Sequence, residues 1–315
     1  MSASLTAETF EAELEELHEK HAREWRERHE QDVPPVLYHY TNAEGLIGIL
    51  GRKQIWASNV CFLNDARELI HGRMLVEKVI EEGLETHPTG KAHDFLADCR
   101  ERVRSGRLEL DVYAACFCTD GDLLSQWRGY GSMGDGYSLG LCSESLRRGR
   151  FRPSSYKFAL RRVIYDPECQ TKMIQESVCN VCRLIERAAA TLPAAELDHL
   201  LSEAGCKLDE QLKEFLYCFK DPAFAEEREW RIVHTCPAAI YNKDLQFRAS
   251  RGRIVPYVLL PLDGLTDPDN SLIPLVNLRF GSVLSPITTS KSLEHLLKFH
   301  KYEKVTSRPS GVPLI

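Results

Sequence analysis

The sequence predicts an α+β fold, in which strand-forming segments are interrupted by helices and do not alternate strictly with them. The chain has 315 residues, of which 43% are hydrophobic and 27% are charged, so it can bury a large core. Short β-rich segments recur between residues 36 and 165 and again from residue 228. A helix-rich stretch at about residues 169–219 separates them, which favours α+β over a doubly wound sheet.

The first 35 residues are predicted to form an amphipathic helical extension. Residues 6–31 are dense in Glu, Arg and Lys, and their apolar residues recur near helical spacing at Phe10, Leu14, Leu17 and Trp25. The helix is expected to stop at Asp32-Val-Pro-Pro35, because proline donates no amide hydrogen bond and favours extended geometry in the residue before it. Such a helix either docks on its own domain or contacts a partner or a second copy.

A single domain is predicted over residues 36–315, with a helical hairpin inserted at about 169–219. Its first strand ends at Tyr40, and the following Thr41-Asn-Ala-Glu44 has the pattern of a capping box that opens a helix through Leu50. The further predicted strands cover residues 54–58, 112–119, 136–142, 156–165, 228–235, 254–261, 275–281 and the segment from 305 onward. The further predicted helices are one of about 18 residues that closes near Gly83, one around 95–103, and those at 122–129 and 289–300.

Charge and composition exclude several classes of protein. The 40 basic and 46 acidic residues give a formal net charge of -6, which argues against a dedicated polyanion binder. The start has no basic segment followed by an apolar one, and no apolar run approaches the roughly 20 residues of a membrane helix, so we expect a cytoplasmic protein without a membrane partner. Eleven scattered cysteines indicate reduced thiols. The pair Cys179 and Cys182 has no second pair at zinc-site spacing, so no metal is expected.

The segment from Glu227 to Arg231 contains the group of charged residues that most clearly suggests a catalytic or binding site. If the segment is an extended strand, side chains alternate between its two faces, and Glu227, Glu229 and Arg231 lie on the same face. Two carboxylates about 7 Å apart could shift each other's pKa, or the guanidinium could keep both ionised. An ion pair on an edge strand explains the same pattern.

A histidine stands near the end of the first predicted strand. His39 is followed by Tyr40, by the hydroxyl of Thr41 and by a predicted helix start, so an imidazole and free backbone amides would lie together. A purely structural histidine is the alternative.

Aromatic residues are spaced along the short helix predicted at 122–129. The spacing of three puts Trp127 and Tyr130 on one helical face, where they could stack on a planar ring, while Arg128 points elsewhere. Packing in the core explains this pair equally simply. At the start of the predicted helix of about 18 residues, Asn64, Asp65 and Glu68 form a polar cluster that either caps that helix or binds a ligand.

Together these motifs resemble a bacterial family, the domain of unknown function 2971, from about residue 36 to the end. That family in turn resembles, in the order of its motifs, the His-Tyr-Glu branch of the ADP-ribosyltransferase superfamily. The resemblance implies a split mixed or antiparallel sheet with flanking helices. The motifs that carry it are Leu-Tyr-His-Tyr-Thr41, Phe-Leu-Asn-Asp-Ala-Arg-Glu68, Cys116-Phe-Cys, Gln-Trp-Arg-Gly-Tyr130, Gly136-Tyr-Ser-Leu-Gly140, Phe-Lys220 and Glu227-Arg-Glu-Trp-Arg231.

The resemblance also implies roles for these residues. His39 would donate to a ribose hydroxyl of NAD, Tyr130 would stack on nicotinamide, and Glu229 would stabilise the positive charge that develops on the ribose. Glu227 competes with Glu229 for the last role. The remaining implied NAD contacts are nicotinamide stacking by Trp127, carboxamide binding by the backbone at Tyr40 and Thr41, and pyrophosphate binding by Arg128 or Arg231.

The resemblance therefore implies an enzyme that cleaves the nicotinamide bond of NAD and transfers ADP-ribose to an unknown acceptor, a protein or a nucleic acid, or to water. NAD is the substrate of such an ADP-ribosyltransferase or NAD glycohydrolase. The alternative is a catalytically silent nucleotide-binding or interaction module, for example in a bacterial defence or toxin system. The enzyme requires its three groups to converge on one ligand, whereas the module does not.

Overall fold

The computed structural model describes residues 5–63, 67–106, 112–130, 135–151, 158–235, 245–250, 252–265 and 272–313. Within them, the fold is α+β with a mixed sheet, as the sequence predicts. Contacts divide the chain into a helical unit, formed by Met1–Gln31, Asn64–Leu110 and Ile164–Ala223, and a sheet unit, formed by Asp32–Leu63, Asp111–Val163 and Phe224–Ile315. None of the described helices is long and apolar enough to cross a bilayer.

In the described residues, the helical unit packs five helices around an apolar core. Its core side chains come from all five and include Phe10, Phe95, Ile174 and Phe215. The helix of the predicted extension and the predicted hairpin both lie in this unit. The division into an extension and a single domain stays a prediction. The helices are α1 (Ala7–His29), α3 (Arg67–Thr86), α4 (Lys91–Arg104), α7 (Pro167–Ala189) and α8 (Ala194–Leu216).

The local sequence explains where these long helices begin and end. Thr6 caps α1 by accepting a hydrogen bond from the backbone of Thr9, and Asp166 caps α7 in the same way through Glu168. Pro167 occupies the first turn of α7, where its missing N–H costs nothing. The predicted boundaries of these helices therefore agree with the observed ones to within a few residues.

The sheet unit is built on ten strands and four helices in the described residues. The strands are β1 (Val36–Thr41), β2 (Gln54–Asn59), β3 (Val112–Cys118), β4 (Tyr137–Cys142), β5 (Ala159–Arg162), β6 (Glu229–Thr235), β7 (Gln246–Ser250), β8 (Arg253–Pro261), β9 (Leu275–Phe280) and β10 (Thr306–Pro309). The helices are α2 (Ala43–Arg52), α5 (Leu124–Tyr130), α6 (Ser143–Arg147) and α9 (Pro286–Phe299), with short 3-10 helices at Val60–Phe62 and Arg148–Phe151. A further 3-10 helix, Pro222–Glu227, begins in the helical unit and ends in the sheet unit. Sequence reasoning missed α6 and β7.

The strand order is β10-β9-β4-β1-β3-β2-β8-β7, and β6 joins β3 to β5. Among the named strands of the described residues, all pairs are antiparallel except that of β9 with β10. Strand β3 pairs along its whole length with β6, while β1 meets it at Cys118 and β2 meets it at Tyr113 and Ala114. Strands β1 and β2 therefore contact opposite ends of β3.

Candidate functional site

Side chains alternate between the two sides of the central strands of the sheet unit, and this separates the predicted site residues. Tyr40 of β1 and Cys118 of β3 pack together on one side, which we call the tyrosine side. Leu37 and Phe117, from the same two strands, lie in the main core on the other side, which we call the core side.

The tyrosine side carries an ordered aromatic cluster around Tyr40. The Tyr40 hydroxyl donates to the carbonyl of Asp120 at 2.8 Å and accepts from the N–H of Leu123 at 2.9 Å. Its ring meets Trp127 edge to face, with 5.0 Å between the centroids. Burial raises the pKa of Tyr40, so the phenol stays protonated. These bonds attach the loop before α5 to β1.

Helix α5 presents its aromatic residues to this cluster as the spacing predicts. Trp127 has no exposed surface, and Tyr130 is half-buried against the same cluster. Arg128 is exposed. Because both faces of a fully buried indole are covered, Trp127 supports the cluster in this structure, and the ring of α5 that reaches the surface is that of Tyr130.

Asp122 fixes the cluster to distant parts of the sheet unit, and sequence reasoning did not single it out. Its carboxylate accepts from Trp127 Nε1 at 2.9 Å, from an Arg279 guanidinium nitrogen at 3.0 Å and from the N–H of Gly311 at 2.9 Å. The Ser310 hydroxyl is a fourth donor. The only sequence signal for this residue is the Asp120-Gly-Asp122 turn between β3 and α5.

Glu229 and Arg231 lie side by side on the tyrosine side of β6. They are opposite Cys118 and Cys116 of β3 in register. Arg231 Nε donates to one Glu229 oxygen at 2.7 Å and a terminal guanidinium nitrogen donates to the other at 3.0 Å. Both side chains are at most 5% exposed. The predicted proximity of Glu229 and Arg231 is therefore confirmed, as a buried bidentate ion pair.

The expectation that the extended segment begins at Glu227 is wrong. The segment Pro222–Glu227 forms a 3-10 turn, and β6 begins only at Glu229. The residue between, Arg228, has a φ of 42°, and its N–H bonds the carbonyl of Ala225. A left-handed residue interrupts the alternation of an extended chain, so the period of two does not reach back to Glu227.

His39 lies on the core side of β1. Its ring is 5.6 Å from that of Phe117, and its Nδ1 is 2.9 Å from the carbonyl oxygen of Cys116 on β3. Burial lowers the pKa of His39, so the neutral imidazole donates this bond through Nδ1–H. The bond links β1 and β3 near the point where the two strands begin to separate.

Thr41 ends β1, also on the core side by alternation, but it does not cap the next helix. Asn42 is the N-cap of α2, and its side-chain oxygen accepts from the N–H of Gly45 at 2.9 Å. The cap therefore lies one residue later than predicted, and it is a single N-cap bond and not a capping box, because the N3 residue Gly45 has no side chain. A side chain at Gly45 would collide with the hydroxyl of Thr41, so the glycine lets the chain turn tightly here.

The structure thus brings some of the predicted site residues together and leaves others apart. Tyr40, Trp127, Tyr130, Glu229 and Arg231 belong to the tyrosine side. The side chains of His39 and Thr41 belong to the core side, and Glu227 lies before the strand. The predicted cluster of Asn64, Asp65 and Glu68 lies outside the described residues and side chains. Among the described side chains, no group of three or more potential ligands is arranged to hold a metal ion.

A comparison with protein families gives one match. Residues 126–232 match the model of a family described as "Protein of unknown function (DUF2971)", a segment that runs from α5 into β6 and contains Tyr130 and Glu229. This match supports the family that the sequence motifs suggest. No curated protein and no solved structure matches the chain.

Proposed function

We propose that the tyrosine side of the sheet unit binds a nucleotide, with NAD as the first ligand to test, and that its main role is binding. The observation that carries this proposal is the packing of the Tyr130 ring. Its half-buried ring packs against the cluster of Tyr40, Cys118 and Trp127, in which Tyr40 and Trp127 are held by hydrogen bonds to Asp120, Leu123 and Asp122. A ring fixed in advance loses little conformational entropy when a flat base or nicotinamide stacks on it.

Charge near this ring suits a phosphorylated ligand. Arg128 is exposed on the same helix, two residues before Tyr130 and therefore on a different face of α5, so only its long side chain can bring charge towards a ligand on that ring. A guanidinium binds a phosphate group bidentately, and a solvent-exposed one can move to meet it. A stacking ring with a nearby mobile cation therefore fits the base and the phosphate of a nucleotide.

The geometry favours binding over cleavage. Cleavage by the implied mechanism needs a histidine, a tyrosine and a glutamate around one nicotinamide-ribose unit. His39 is on the core side and its Nδ1 is bound to a backbone carbonyl, whereas Tyr130 is on the tyrosine side. Both oxygens of Glu229 accept from Arg231, so the positive charge that this carboxylate neutralises is that of the guanidinium. These contacts support the silent nucleotide-binding module, with a sensing role in bacterial defence or a toxin system as its setting.

Cleavage of NAD is the second candidate, and one observation favours it. Glu229 pairs in register with Cys118, which packs against Tyr40 and Trp127, so the carboxylate and the aromatic cluster share one side of the sheet. If the carboxylate left its guanidinium, it could stabilise the positive ribose as nicotinamide departs. ADP-ribose would then pass to an acceptor or to water.

Calorimetric titration of the full chain with NAD, ADP-ribose and ATP tests the binding proposal. Stacking on an aromatic side chain is worth about 1–3 kcal/mol per base, so Tyr130→Ala should lower the affinity for the ligand by roughly fivefold or more. Tyr130→Phe keeps the ring and should retain binding. Arg147→Ala, on the exposed side of α6, is the control that should leave affinity unchanged. Equal affinity of the wild type and Tyr130→Ala would contradict the proposal.

Release of nicotinamide from labelled NAD separates the two candidates. The module predicts that NAD stays intact in the presence of the wild-type protein. Release that disappears in Glu229→Gln but persists in Glu227→Gln would establish the enzyme instead. Circular dichroism of each variant controls for folding, because Glu229→Gln alters a buried ion pair.

A further inference from the structure

The hairpin of β7 and β8 carries a charge opposite to that of the protein. Residues 245–262 contain three arginines, Arg248, Arg251 and Arg253, and no Asp, Glu or Lys, whereas the whole chain has a formal charge of -6. Arg251 lies outside the described residues. A local excess of positive charge on an acidic protein is an electrostatic footprint for an anionic partner.

Arg248 is held against aromatic rings and has no acidic partner among the described residues. Its guanidinium donates to the hydroxyl of Ser58 at 3.0 Å and lies 5.9 Å from the ring of Trp56. Trp56 stacks on Tyr257, with 4.9 Å between centroids and 28° between planes. Burial lowers the pKa of Arg248, as expected of a cation removed from water without a carboxylate beside it.

The two sides of this hairpin have different chemistry. Arg248 is opposite Val255 in register, and alternation puts Arg253 on the same side of β8 as Val255 and Tyr257, which is the tyrosine side. The other side of the hairpin exposes apolar groups, Phe247 at 63% and Ile254 at 72%. Cations and aromatic rings are therefore together on one side, and the exposed apolar side chains are on the other.

We propose that the cationic, aromatic side of the β7–β8 hairpin is a docking surface for single-stranded nucleic acid. Phosphates would meet Arg248 and the exposed Arg253, and a base would stack beside Trp56, since single-strand binders combine a positive track with aromatic side chains. An anionic membrane is a different partner, and it would engage the apolar Phe247 and Ile254. The two partners therefore use opposite sides of the same hairpin. This surface is formed by β2, β7 and β8, whereas the proposed nucleotide site is formed by β1 and α5.

Fluorescence anisotropy of the full chain with a labelled thymidine oligonucleotide of about 20 nucleotides tests this surface. We expect binding at about 50 mM salt that weakens as salt rises. Arg253→Glu should weaken it roughly tenfold and reduce the salt slope by about 1 or more, because a phosphate contact is lost. The double variant Phe247→Ser, Ile254→Ser should bind the oligonucleotide as the wild type does.

Arg147→Glu is the matched charge control, since this α6 residue is 51% exposed in its side chain and its helix contacts β4 and β5. Absence of oligonucleotide binding at low salt overturns the proposal, and so does equal weakening by Arg253→Glu and Arg147→Glu. A parallel arm uses phosphatidylserine vesicles. Binding to vesicles alone, lost in the Phe247→Ser, Ile254→Ser variant, assigns the hairpin to membranes and also overturns it.

Discussion

Removing the carboxylate of Asp122 should loosen the aromatic cluster of the sheet unit. Asp122→Ala deletes the acceptor of four donors, which come from Trp127, Arg279, Ser310 and Gly311. An unsatisfied buried donor costs about 1–3 kcal/mol, and the indole N–H of the fully buried Trp127 would be one. Hydrogen bonds to a charged group contribute about 1.5–3 kcal/mol each but are not additive. We expect a total loss of about 2–4 kcal/mol.

Hydrogen exchange of the indole N–H groups measures this loss locally. The chain has four tryptophans, so the four indole signals can be assigned by substitution. A loss of 2–4 kcal/mol should speed exchange of the Trp127 N–H by roughly 30-fold or more. The indole of Trp25, in the helical unit, is the internal reference. Asp135→Ala, an exposed aspartate of the same unit, should change neither signal.

Acid should reproduce the effect of the substitution. Burial by itself would raise the pKa of Asp122, but the bonds from Ser310, Gly311 and Trp127 and the charge of Arg279 outweigh it and hold that pKa below its usual value. The bonds therefore stabilise the folded protein above the unfolded pKa of about 3.9, and the stabilisation is lost as pH falls through the folded pKa. The reasoning would be refuted if the Trp127 indole N–H exchanged at the same rate in Asp122→Ala as in the wild type. It would also be refuted if acid sped this exchange equally in the wild type and in Asp122→Asn.

Three further predictions concern other buried groups. Burial lowers the pKa of His21, against the opposing charge of Glu176, so the unfolding free energy should fall as pH drops below the unfolded pKa of about 6.5. His21→Gln should make the urea midpoint depend less on pH between about pH 7.5 and 5.0. His39→Ala should lower the melting temperature without changing nucleotide affinity in calorimetry, because His39 bonds the β3 backbone from the core side. Gly140→Ala should cost about 1–3 kcal/mol in denaturant unfolding, because its Cβ would lie 2.7 Å from Asn277 Oδ1.

Each of these predictions has its own check. A pH response that is equal in the wild type and His21→Gln would assign the titration to another group. A His39→Ala variant that melts normally yet binds no nucleotide would move the imidazole into the binding site. Gly48→Ala has open space around its Cβ inside α2 and should be neutral or stabilising by about 0.5–1 kcal/mol; a cost equal to that of Gly140→Ala would remove the steric explanation.

Local sequence patterns determined most of the secondary structure. The two prolines after Asp32, the capping Asp166 and the apolar periodicity set the long helices, because these signals act within a few residues. The period of two likewise predicted that Glu229 and Arg231 are neighbours, which the ion pair confirms. The same rule failed at Glu227, because one residue with a left-handed backbone breaks the alternation and no local signal announced it.

The sequence by itself determined the α+β class, the helical segments and the short-range pairs. The tertiary structure decided which side of the sheet each side chain occupies: it separated His39 from Tyr130, although both stand in aromatic motifs. It also joined Asp122 to Gly311 and Arg248 to Ser58, pairs that are 189 and 190 residues apart in the chain. Such contacts depend on strand register and loop paths, which are set by burial summed over the whole molecule and not by the residues next to each contact.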